Sequence, residues 1–94
     1  MRFEWDEAKA ESNRRKHRVL FATAMRVFDD PRVLLDQDRE VDGEERWSAI
    51  GMVSGALVLA VAHTVRDEEG EEIVRIISAR TATKWERRVY EDGD

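Results

Sequence analysis

The stretch "RWSAIGMVSGALVLAVAHTVRDEEGEEIVRIISA", residues 46–79, holds three apolar runs separated by two short breaks. Arg46 to Val53 reads as a strand, and Ser54-Gly55 offers a tight turn into the next. Leu57 to Val65 is almost wholly apolar, the pattern of a central strand covered on both faces. The acidic segment DEEGEE, 67–72, carries Gly70 and reads as a loop leading into a third strand, Ile73 to Ala79. Strands joined by connections this short run antiparallel, since parallel neighbours need a long crossover.

Working outward, Arg2 to Trp5 is a short strand, and Asp6 caps the helix after it by accepting first-turn N–H groups. That helix, Glu7 to about His17, has only Ala8 and Ala10 as apolar residues. Its Lys9, Asn13, Lys16 and His17 fall at helical spacing on one side, a solvated face or a stripe of phosphate contacts. Leu20 to Asp29 is a second helix with Phe21, Ala24, Met25 and Phe28 as its core stripe, ended by Asp30-Pro31. A strand starts at Val33 and runs to about Asp36. The last helix begins near Thr83, where Thr83-Lys84-Trp85-Glu86 is a capping box. The order is β-α-α-β-β-β-α, an α+β fold with an antiparallel sheet flanked by helices in a single domain.

The 94 residues carry a net charge of −5, which taken alone argues against a nucleic-acid partner. Its distribution argues otherwise. Residues 36–45, 67–72 and 91–94, read as two loops and a tail, contain fourteen of the twenty-one acids and one of the sixteen bases. The rest holds fifteen bases against seven acids, a net of +8, so the structured body is basic. Cysteine is absent, which removes thiolate and disulfide chemistry. The N-terminus lacks an apolar leader, and the longest apolar run, Ala56 to Ala62, is far too short to span a bilayer. A soluble cytoplasmic protein, with no membrane partner, is expected.

No metal motif, cofactor fingerprint or glycine-rich phosphate loop is present; the two histidines are far apart. The chemistry-bearing feature is a cationic constellation. Arg75 and Arg80 lie on or just after the last strand, Ser78, Thr81 and Thr83 supply hydroxyls, and the last helix points its first-turn N–H groups at them. Arginines beside a helix N-terminus suit a phosphate. His63 ends the neighbouring strand and is expected near the same place, with an imidazole suited to proton transfer. Such a set can cleave RNA without metal: a base takes the ribose 2′-proton, the oxygen attacks the adjacent phosphate, and arginines stabilise the charge that builds. Arg75 can equally pair with an acid across strands, and Arg87 can serve its own helix. Trp85 is expected to pack on the sheet, with base stacking as the alternative.

Five collinear stretches, FEWDEAKAESNRRKHRVLF (3–21), VFDDP (27–31), GEERWSAIG (43–51), VAHT (61–64) and RIISARTATKWERRVYE (75–91), resemble the BrnT family of toxins from bacterial type II toxin–antitoxin modules. The resemblance implies a RelE-like ribonuclease that degrades mRNA or blocks translation. It also implies a cognate antitoxin with a DNA-binding domain, usually ribbon-helix-helix, through which operator DNA is met. It adds Lys84 and Tyr90 to His63, Arg75 and Arg80 as catalytic candidates, beside Lys9, Asn13, Lys16, His17, Ser78, Thr83 and Arg87 as RNA contacts. The family carries glycine after the KH pair, where this chain has Arg18. It opens its last helix with consecutive basic residues, where this chain follows Lys84 with Trp85. The competing class is a module that grips RNA, DNA or an antitoxin through the same basic face without cleaving.

Overall fold

The structure, a computed structural model, describes residues 1–93. Strand β1 (Arg2–Glu4) leads into helix α1 (Glu7–His17), then the short α2 (Phe21–Ala24), which tightens into a 3-10 helix over Met25–Asp29. Four strands follow, one more than the order β-α-α-β-β-β-α counts: β2 (Leu34–Val41), β3 (Glu44–Met52), β4 (Val58–Glu68) and β5 (Glu71–Thr81), and helix α3 (Lys84–Asp92) closes the chain. The sheet order is β1-β5-β4-β3-β2. The apolar strand β4 is therefore central, as its composition requires. The three hairpin-linked pairs are antiparallel, while β1 joins the edge of β5 in parallel. Two helices separate β1 from the hairpins, so no tight turn dictates its direction.

The expected acidic loops are strands. Residues 36–45 form the ends of β2 and β3 and the turn between them; residues 67–72 do the same for β4 and β5. Asp42-Gly43 and Glu69-Gly70 both have positive φ at each residue, the primed geometry whose twist matches a two-residue hairpin. Acidic side chains are tolerated because these hairpin ends are exposed on both faces. Like charges do face each other at Glu68 and Glu71, and Arg2 bridges the two.

The core lies on one face. Val19, Phe21, Ala24 and Val27 from the helical segment pack on Ala49, Leu59, Val61, Ile76 and Ala79. Contact there is close: a Cβ at Gly51 would lie 2.8 Å from Val27 Cγ1. Helix α3 crosses one end of the opposite face, where Glu86 reaches Arg80 and its C-terminal end reaches Leu34. The rest of that second face is partly open: Arg75 and Ser78 are half-buried there, while Ile73, Ala60 and Thr64 are buried.

Two local features arrange the open face. Strand β1 pairs with β5 only at Ile73, Val74 and Arg75, so β5 has a free edge beyond. The side-chain amide of Asn13 fills it, accepting from Ala79 N–H at 3.0 Å and donating to Ala79 C=O at 2.9 Å. It also donates to Val19 C=O. The second feature is a β-bulge: Ala62 pairs with Ser78 and His63 with Ile76, leaving Ile77 as the extra residue.

Candidate nucleic-acid interface

Side chains alternate between faces along a strand, so Arg75 and Ser78 belong on opposite faces by spacing alone. The bulge at Ile77 reverses that. Arg75, Ser78 and Arg80 pair with Thr64, Ala62 and Ala60 of β4, which alternate regularly and share the open face. Ile76 and Ala79 remain in the core. One inserted residue thus gathers the polar set on one side while Ile76 and Ala79 stay buried, and Ile77 itself is left half-buried.

Ser78 and Ile77 sit between two shallow depressions. One, about 180 Å³, is lined by Lys9, Ser12, Lys16 and His17 of α1. The other, about 210 Å³, is lined by Asp38, Arg39, Arg46, Ser48 and Arg80. The α1 ridge and the sheet face therefore form one surface. Lys9, Lys16, Arg39, Arg46 and Arg75 make no ion pair among the described residues.

Asn13 also lines the α1 depression, but its amide is not free there. It is buried, with its amide committed to Ala79 and Val19, because the free edge of β5 demands hydrogen-bond partners.

At the strand–helix junction Arg80 is already paired. Arg80 grips Glu86 through two hydrogen bonds, Nη1 to Oε1 at 2.7 Å and Nη2 to Oε2 at 3.0 Å. This pairing holds the Glu86 carboxyl down at about 2. Glu86 also accepts from Thr83 N–H, and the Thr83 hydroxyl accepts from Glu86 N–H, completing the capping box. A carboxylate from within the chain thus stands where a phosphate was expected at the helix N-terminus. Thr83 is committed to the cap, and Arg87 pairs with Glu91 one turn on. Lys84 is exposed at the first position of α3.

Two catalytic candidates lie elsewhere. His63 is 2% exposed on the core face, edge-on to Phe28 with ring centroids 4.9 Å apart. Its Nδ1 is 3.2 Å from Val61 C=O, and burial pushes its pKa down. It is not beside Arg80, because strand alternation sends the two to opposite faces. Tyr90 is buried at the far end of the sheet, where its hydroxyl donates to Asp30. Burial pulls the Asp30 carboxyl upward, but hydrogen bonds from Met52 N–H, Tyr90 and Arg32 N–H outweigh it and hold it low. The Tyr90 hydroxyl is correspondingly raised by its bond to Asp30.

Trp85 does not pack on the sheet: it is 69% exposed. Tyr90 is the buried residue of α3 and Glu86, Arg87 and Val89 are half-buried, while Trp85, in the first turn, is left exposed. Arg39 and Arg46 were not singled out from sequence, since they stand inside or beside the acidic run. The alternation of Arg46 with Ser48 and Ile50 was the available signal.

A five-stranded, mostly antiparallel sheet flanked by helices, with a cation-rich face, defines the class: a small α+β domain. The family model described as ribonuclease toxin, BrnT, of type II toxin–antitoxin system matches residues 5–86. The chain belongs to the BrnT family. The crystal structure of the Brucella abortus ribonuclease toxin BrnT is similar, with 29% identity and a TM-score of 0.67, covering 89% of this chain and 99% of that one. No curated protein sequence matches. Membership makes the chain a toxin of the ribonuclease type and implies an antitoxin partner. Among the described residues, no helix is long and apolar enough to cross a membrane.

Proposed function

We propose that this chain is an endoribonuclease whose substrate lies along the α1 ridge and crosses onto the open sheet face at Ser78. The observation that carries this is the junction itself: Lys9, Lys16 and His17 share a depression with Ser78, which also borders the arginine-lined one. A single-stranded RNA backbone needs a run of cations with spaces between them. Of the two imidazoles, His17 is the one at this surface, half-buried beside Lys16, so it is the better candidate to take the 2′-proton. The 2′-oxygen would attack the phosphorus as the P–O5′ bond breaks, giving a 2′,3′-cyclic phosphate and a 5′-hydroxyl that takes its proton from the imidazolium or from water. Lys16 and Arg75 would stabilise the charge developing on the phosphate, and Ser78 would hold a phosphate oxygen. This mechanism asks for no metal, since fixed cations supply the charge. Loss of mRNA in the cytoplasm would then arrest translation. The antitoxin would cover the same face with an acidic or amphipathic segment and bring operator DNA through a ribbon-helix-helix domain.

The test is induced expression with transcriptome-wide mapping of new RNA 5′ ends, repeated with His17→Ala and Lys16→Ala. Defined cuts that vanish in both variants, at unchanged melting temperature, support the assignment. Growth arrest with intact RNA would favour grip without cleavage, a reading supported by Arg80 being already held by Glu86.

A further inference from the structure

We propose that Arg46 is an RNA-phosphate ligand, and that the depression between β2, β3, β4 and β5 is a phosphate subsite distinct from the α1 ridge. This rests on the RNA-cleaving reading above and deepens it. Arg46 is half-buried, and its Nε is the buried side-chain nitrogen left without a hydrogen-bond partner among the described residues. A buried guanidinium N–H left unpaired costs free energy in the free protein. Its cross-strand neighbour adds to that cost: Arg46 pairs in register with Arg39, and like charges directly opposite repel. Beyond the irregularity just before Arg39, Asp38 lines the same space, yet it forms no ion pair with either arginine. Two unneutralised guanidinium groups, the Ser48 and Ser78 hydroxyls and the partly exposed Arg80 therefore surround a space of about 210 Å³. An anion with several acceptor oxygens satisfies that set. A phosphodiester offers two charged oxygens to the planar fork of Arg46, and hydroxyl donors stand beside it. The subsite joins the α1 ridge at Ser78 and Ile77, so one continuous strand can occupy both. Such an arrangement trades stability of the free protein for affinity.

The experiment measures binding of a 2′-O-methyl RNA oligonucleotide, which cannot be cleaved, by fluorescence anisotropy across a salt series. Wild type is compared with Arg46→Ala, Arg46→Gln and Arg46→Lys. Arg46→Ala should weaken binding about tenfold and reduce the slope of log affinity against log salt by about 0.7, the loss of one phosphate contact on a single strand. Arg46→Lys should keep the slope and recover only part of the affinity, because an ammonium keeps the charge but not the fork. The melting temperature of Arg46→Gln should equal or exceed that of wild type. Unchanged affinity and slope in folded Arg46→Gln overturns the subsite, while wild-type cleavage leaves the ribonuclease reading standing. Unchanged RNA affinity with weakened antitoxin binding overturns it too, assigning the depression to a partner carboxylate. Should Arg46→Ala fail to fold, the Gln and Lys variants decide. Absence of any RNA binding or cleavage in wild type removes both readings together.

Discussion

The Asn13 side chain continues the sheet: its amide pairs with both backbone groups of Ala79 at 2.9 and 3.0 Å, in the place where β1 has already left the edge of β5. A third bond, to Val19 C=O, ties the end of α1 to the start of α2. One residue thus fixes α1 against the strand that carries Ser78 and Arg80.

Asn13→Ala should therefore cost about 2–4 kcal/mol, since it leaves buried backbone groups unsatisfied. Asn13→Asp should cost more, because a carboxylate cannot donate to the two carbonyls. Urea denaturation measures both, and a midpoint unchanged from wild type would show that α1 is held by something else.

Glu86 ties folding to acid. Its carboxyl is held at about 2 against an ordinary 4.5, chiefly by Arg80. A depressed carboxylate stabilises fully above the unfolded value and is lost as pH falls toward the folded one. Wild type should lose stability between about pH 4.5 and pH 2, and Glu86→Gln should flatten that limb. With Arg80 partly exposed, screening limits the effect to about 1–2 kcal/mol. Glu86→Gln also frees Arg80, so its RNA affinity should rise; thermal melts over pH and anisotropy report the two effects separately.

His63 behaves as a core residue. Burial lowers its pKa, so the unfolded chain binds the proton more readily and stability rises with pH through the ordinary histidine range. Wild type should melt lower at pH 5.5 than at pH 7.5. His63→Phe should remove much of this difference and retain RNA cleavage. Abolished cleavage in a well-folded His63→Phe protein would return the imidazole to the mechanism.

Arg18 ends α1 in the left-handed conformation, with φ 61° and ψ 28°, and donates its N–H to Arg14 C=O. Glycine adopts this conformation without the Cβ penalty. Arg18→Gly should stabilise the fold by about 1 kcal/mol, a rise of roughly 4–8 °C in melting temperature. A lower melting temperature would mean that the Arg18 side chain contributes more than its backbone strain costs.

Sequence alone located the helices and the three apolar strands, because periodicity, capping and turn chemistry are local. The order drawn from it was one strand short, the short run at Val33 opening a full strand, β2. Asp6 and Thr83 cap their helices as their positions require, and the apolar run at β4 could only be central. The family was legible for the same reason, as collinear blocks. The acidic runs misled because composition suggested loops, whereas paired strands with exposed faces tolerate charge when a glycine turn fixes the register. The site was legible only in part. That Lys9, Lys16, His17 and Ser78 share one surface depends on how α1 lies along β5, and that Arg75, Ser78 and Arg80 share a face depends on the bulge at Ile77. Burial of Asn13, His63 and Tyr90, and the capture of Arg80 by Glu86, were decided by tertiary packing alone. Which polar groups remain free for a ligand is settled by pairings between residues distant in the chain, and no local pattern carries that information.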